Sequence, residues 1–143
     1  MTATNFLQPV PYLSFDGNCA EAMDFYADVF GGTIERTMTF GQSPMAGSFP
    51  QEFNDKIMNA QLKLPGGCLM YGGDVPPGMN HSPMSGLMLA INFPDIAEGE
   101  KVFNRLAEGG SVTMPYADTF WADKFGMVTD RYGVHWGVNG NLH

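Results

Sequence analysis

Apolar and polar positions follow the same order twice along this chain. Pro11-Tyr12-Leu13-Ser14-Phe15 reads as a short extended run closed by the turn dipeptide Asp16-Gly17. Ala20, Met23, Tyr26, Ala27 and Phe30 then recur at helical spacing and give one apolar face. Gly31-Gly32 stops that helix, since glycine takes the left-handed C-terminal conformation without strain. Later, Ile96, Val102, Phe103, Leu106 and Ala107 form a comparable stripe, with Asp95 placed to cap it and Gly109-Gly110 to end it. The two stretches match at an offset of 78: Leu13 with Ile91, Phe15 with Phe93, Phe25 with Phe103, Ile34 with Val112.

Further strands are expected after each Gly-Gly. In the first copy they are 33–40, 57–64 and 68–72, and in the second 111–116, 126–130 and 134–139. The turns Pro65-Gly66-Gly67 and Arg131-Tyr132-Gly133 separate the last pair of each copy. A longer loop in the first copy, about 41–56, lowers the offset to 66 between Gly67 and Gly133. Each copy therefore reads β-α-β-β-β, an α+β chain with module one at about 8–75 and module two at about 84–140. A connection with three prolines, 74–83, joins them, and residues 1–143 are expected to form a single domain.

Composition adds a folded core and removes several partners. The 44 % hydrophobic and 15 % charged fractions are those of an ordered globular chain. Eleven Met and 13 % aromatics fit either a Met-filled core or an adaptable apolar pocket. The net charge is −8, and the seven basic residues make no cationic stripe, so nucleic acid and anionic membranes are poor partners. No apolar run reaches the ~18 residues that span a bilayer. Met1-Thr2-Ala3-Thr4-Asn5 lacks the charged start of an export signal, so a cytoplasmic location is expected. Cys19 and Cys68 are accordingly read as reduced, with no neighbouring base to activate either.

Three runs carry a family resemblance. PYLSFDGNCAEAMDFYADVFGG resembles the start of a vicinal-oxygen-chelate module. AEGGSVTMPYADTFWADKFGMVTDRYGVHW is more specific and resembles the PhnB-like branch of that glyoxalase/bleomycin-resistance/dioxygenase superfamily. With MNAQLKLPGGCLMYGGD the resemblance covers nearly all of residues 8–140. It implies two β-α-β-β-β modules whose curved sheets enclose a cleft, and commonly a homodimer. Enzymes of the superfamily hold a divalent metal there, which stabilises charge developing on adjacent substrate oxygens.

The superfamily pattern takes its metal ligands from the first and late strands of each module. Those positions fall near Val10 or Pro11, near Met88 or Leu89, at Gln61 and at Gly137. None is the imidazole, thiolate or carboxylate such metals require. Many PhnB-like sequences carry His-Ala-Glu where this one has Asn59-Ala60-Gln61, so no metal and no other cofactor is expected.

The remaining candidates are polar or aromatic. In Ile57–Lys63, Asn59, Gln61 and Lys63 alternate with Met58, Ala60 and Leu62. They form either a solvated sheet face or, in the family register, two amides offered to an uncharged ligand. His135 alternates with Gly137 and Asn139, and is either a hydrogen-bonded structural residue or an acid–base group near neutral pH. Thr119-Phe120-Trp121 and Phe125 are placed in a long loop before the penultimate strand, as a wall over a pocket or as a dimer contact. Asp130 reads as a turn cap before a catalytic base, and His81 as a solvated residue of the connection.

Two kinds of function follow. One is metal-independent binding of a small, partly apolar molecule by Asn59, Gln61, Trp121, Phe125 and His135. The other is a metal-dependent lyase, isomerase or dioxygenase of the same superfamily, with His135 as the tentative catalytic group. A nucleotide-dependent methyltransferase is disfavoured, because the chain has neither a glycine-rich strand–helix turn nor a parallel-sheet pattern.

Overall fold

The structure, a computed structural model, describes residues 8–143. The Met1–Asn5 stretch read for an export signal lies outside the described residues. The chain divides between His81 and Ser82 into two compact units.

The first unit runs β1 (Tyr12–Phe15), α1 (Cys19–Phe30), β2 (Thr33–Thr39), β3 (Ile57–Lys63) and β4 (Leu69–Asp74). Its sheet has the order β1-β4-β3-β2, with β1 parallel to β4 and the other pairs antiparallel. The second unit repeats this as β5 (Leu89–Phe93), α2 (Ile96–Ala107), β6 (Ser111–Ala117), β7 (Ala122–Thr129) and β8 (His135–Leu142), in the order β5-β8-β7-β6. The two β-α-β-β-β modules expected from the repeat are thus both present. The longer loop of the first copy holds three short 3-10 turns, 40–42, 46–48 and 51–53. There Phe40 is buried between the rings of Phe49 and Phe53.

Each helix covers one face of its own sheet. Leu13, Phe15, Ala60, Leu62 and Met70 are buried on the α1 side, and Val128, Trp136 and Val138 on the α2 side. Each large apolar side chain hidden this way stabilises its unit by ~1.5–3 kcal/mol. The buried stripe of α1 is Cys19, Ala22, Met23, Tyr26 and Val29, so the predicted face (Ala20, Met23, Tyr26, Ala27, Phe30) was turned by part of a residue step. Gly31 ends α1 with φ +71°, and Asp95 caps α2 by accepting from the Ala97 N–H at 3.3 Å.

Two boundaries move in ways that bear on the site. β7 starts at Ala122, so Phe125 is a strand residue rather than a loop residue, and the turn before it is short. The cause is a regular ladder from Ala122–Leu142 to Thr129–His135, which extends the pairing well upstream of the expected start. β4 also reaches Asp74, which sequence reading had placed in the connection. Among the described residues, no helix is long and apolar enough to cross a membrane.

Candidate functional site

Side chains alternate across a strand, so the pairing register states which residues share the face turned away from each helix. In the first unit, Tyr12, Tyr71 and Gln61 form one cross-strand row on that face. Asn59 lies on the same face, half-buried like Gln61. The Tyr12 hydroxyl donates to the Met58 carbonyl at 3.2 Å. Burial raises the Tyr12 pKa above the usual phenol value, against the opposing effect of a side-chain hydrogen bond with Asn59. Asn59 and Gln61 are therefore brought together on one face, as their alternation predicted.

In the second unit the helix-free face is built from three rows. Asn92, Asn139 and Phe125 form the first, Ala90, Gly137 and Met127 the next, and His135 with Thr129 the third. Trp121, just before β7, lies against the first row. Its ring meets Phe125 edge to face at 5.2 Å and Phe120 at 4.9 Å. Its Nε1–H donates to Asn139 Oδ1 at 3.0 Å, and Asn139 Nδ2 donates to Asn92 Oδ1 at 2.9 Å. Phe125 and Asn139 are nearly buried, at 8 % and 7 % exposure, whereas Trp121 keeps 37 %.

His135 shares this face, but both ring nitrogens are engaged. Nε2 lies 3.0 Å from the Met84 carbonyl and Nδ1 2.8 Å from Thr129 Oγ1. A carbonyl can only accept, so Nε2 carries a proton, and in the neutral ring Nδ1 accepts from the threonine hydroxyl. The His135 N–H also points to the Met84 sulfur at 3.4 Å. The ring thus ties the 82–88 segment to β8. To move a proton to a ligand it would first have to release one of these partners.

The two buried aspartates hold backbone. Asp74 Oδ1 accepts from Gly17 and Cys19 N–H and its Oδ2 from Ile57 N–H, all within 3.0 Å, tying the entry of α1 to β3 and β4. Asp130 Oδ1 accepts from Tyr132 and Val134 N–H, and Oδ2 from the Trp136 indole at 2.8 Å. The turn-cap reading of Asp130 matches this geometry. Burial, with the charge of Asp74 beside it, pushes the Cys19 thiol up to about 12, so it stays protonated. His81 contacts the Ser14 carbonyl through Nε2 at 3.2 Å rather than standing in solvent alone.

The donor set does not fit a divalent metal. The register makes Tyr71 the counterpart of Gly137, and Met127 the counterpart of Gln61. The two corresponding rows are then Tyr12–Tyr71–Gln61 and Ala90–Gly137–Met127, with no imidazole, thiolate or carboxylate in either. A Cβ at Gly137 would sit 2.7 Å from the Met88 methyl and 3.2 Å from the Phe125 ring. The space for a ligating side chain is filled by a thioether and an aromatic edge. Among the described residues, no three His, Cys, Asp or Glu gather where they could hold an ion.

Asn92 and Asn139 were missed as site residues. The signal was available, since Asn139 alternates with His135, and Asn92 stands between Ile91 and Phe93 in an otherwise apolar strand. What the sequence could not show was the pairing that aligns them with each other and with Trp121.

Two β-α-β-β-β modules of this strand order give the vicinal-oxygen-chelate, or glyoxalase-like, fold. A glyoxylase/bleomycin resistance protein/dioxygenase domain from Frankia sp. EAN1pec shares this fold with TM-score 0.69 over 98 % of this chain and 95 % of its own, at 13 % identity. The chain belongs to the PhnB-like family described as 3-demethylubiquinone-9 3-methyltransferase, whose family model matches residues 8–139. It is similar to protein PA1353 from Pseudomonas aeruginosa, with 44 % identity and TM-score 0.87 over 96 % of this chain and 100 % of that one. Protein YjdN from Escherichia coli (strain K12) is 34 % identical over 137 residues, 90 % of this chain and 92 % of its own.

Proposed function

We propose that this protein binds a small, partly apolar molecule without a metal, on the helix-free face of the second unit's sheet. The observation that carries the reading is the make-up of the second face. Trp121, Met88 and Met127, with the buried Phe125 ring behind Trp121, supply apolar area beside the polar groups of Asn92 and Asn139, in the proportion common to small-molecule sites. Asn59 and Gln61 give the first unit's helix-free face neutral donors and acceptors of its own, a second place where an uncharged ligand could bind. The methyltransferase activity in the family's description finds little support. A nucleotide methyl donor needs a glycine-rich turn between a strand and a helix, and Asp16-Gly17-Asn18 and Pro94-Asp95 stand at the two such junctions. We further propose a cytoplasmic homodimer, in keeping with the two free thiols and with the habit of the superfamily.

The test is metal content by mass spectrometry on untagged protein purified without chelators, followed by thermal shifts with Mn²⁺, Ni²⁺, Zn²⁺ and Fe²⁺. The expected outcome is no stoichiometric metal and no saturable stabilisation. One ion that binds at unit stoichiometry and raises the melting temperature would overturn the reading in favour of a metal-dependent lyase, isomerase or dioxygenase.

A further inference from the structure

Trp121, Asn139 and Asn92 form a hydrogen-bond chain whose direction is fixed at one end. An indole N–H can only donate. The Asn139 atom facing it at 3.0 Å must therefore be the carbonyl oxygen, which turns the Asn139 amino group toward Asn92. The Asn92 atom at 2.9 Å must then be its oxygen, so its amino group points onward. Amide orientations are often open to exchange of N and O, but here the indole removes that freedom twice. Asn92 lies on β5, at the edge of the sheet, and is exposed. Among the described residues nothing accepts from its Nδ2. Each bond in such a chain polarises the next, which strengthens the terminal donor.

The surroundings narrow what that donor would meet. Trp121 offers flat apolar surface beside it, backed by the buried Phe125 ring, and Met88 covers Gly137 in the next row. None of the three rows carries a Lys or Arg. Lys124 points to the other face and pairs with Asp118 at 2.8 Å. Asp123, just beyond the first row, and a net charge of −8 disfavour an anion. Resting on the small-molecule reading above, we infer that Asn92 is the anchoring donor of the site and that it takes the carbonyl oxygen of a neutral, planar, largely apolar molecule lying against Trp121. Specificity then comes from Asn92, while Asn139 and Trp121 position it.

Two probes of one shape separate the oxygen from the ring. 1-Acetylnaphthalene carries a carbonyl, and 1-ethylnaphthalene does not. Each is titrated into isotope-labelled protein while the Trp121 indole and Asn92 side-chain amide signals are followed by NMR. The ketone is expected to bind about 3- to 10-fold tighter and to shift the Asn92 amide, the size of effect one neutral hydrogen bond gives. Asn92→Ala should bring the ketone to the level of the hydrocarbon. Trp121→Phe, which keeps a ring but frees both amides to turn, should narrow the difference. Equal binding of both probes, unchanged in Asn92→Ala, would overturn the anchoring role and leave the small-molecule reading standing. No shift at Trp121, Phe125 or Asn139 with either probe would sink both.

Discussion

Asp74 and His143 show how single residues carry more than their sequence neighbourhood suggests. Asp74 looked like the start of a proline-rich connection, yet its carboxylate closes three backbone N–H groups from two other segments. Asp74→Asn replaces one acceptor oxygen with a donor facing an N–H, and is expected to lower the unfolding free energy by roughly 2–4 kcal/mol in urea titrations. A loss below about 0.5 kcal/mol would mean that those donors find other acceptors. His143 faces two acceptors, the Phe120 carbonyl at 3.3 Å and Asp123 Oδ1 at 2.8 Å, an arrangement that suits the doubly protonated ring. The bond to Asp123 raises the His143 pKa, and bonds from Asn141 and His143 lower that of Asp123. The histidine's contribution is complete below its unfolded value and is lost as pH rises through the raised one. The aspartate's is complete above its unfolded value and is lost as pH falls through the lowered one. The Trp121 indole signal should therefore shift with a midpoint above the usual histidine value of ~6.5, and His143→Gln should abolish that shift. A midpoint at or below that value would contradict the clamp. None of this was legible in the sequence, because Asp123 and His143 are joined only by the β7–β8 register.

At the scale of elements, periodicity located every strand and both helices, and missed mainly their edges. The alternation around Phe125 was interrupted by charged Asp123 and Lys124, so the strand start was hidden until the ladder with β8 exposed it. The face of α1 was misread because small residues serve on both sides. Ala22 is fully buried while Ala20 is exposed, and composition does not tell them apart. Two glycines separate packing from pocket. A Cβ on Gly110 would fall on the Thr129 carbonyl and within 2.9 Å of the Asp130 backbone. Gly110→Ala should thus cost about 2–3 kcal/mol, since backbone cannot yield. Gly137→Ala meets the mobile tip of Met88 and should cost under about 1 kcal/mol, while changing any ligand shift seen at Phe125. Chemical denaturation of both variants decides it, and equal costs would show that the Met88 side chain is as immovable as a strand.

For the molecule as a whole, the internal repeat was the strongest message in the sequence, and it survives as two units of identical strand order. The repeat keeps the frame and varies the faces. Tyr71 became the counterpart of Gly137, and Asn59 that of Phe125, so one unit presents phenol and amide where the other presents bare backbone and an aromatic ring. The candidate site was only half legible for that reason: its residue types were visible, but their assignment to common rows depends on pairing. The shared frame predicts a matched pattern of amide exchange. The central strands β3 and β4 of one sheet and β7 and β8 of the other, bonded on both sides, should hold the slowest amides, and Ser82–Met88, outside any strand or helix, should exchange within seconds. Slow exchange in that stretch would show that its tether to His135 orders it far more than one ring could.

The donor-only character of the Trp121 indole has a consequence for how such a protein could change allegiance. A side chain at that place that accepts instead of donating would reverse Asn139, and Asn139 would reverse Asn92. The outer edge would then offer a carbonyl, and would welcome hydroxyls and amines in place of ketones. A taste for the opposite partner would be one substitution away, at a residue two hydrogen bonds removed from the anchoring atom.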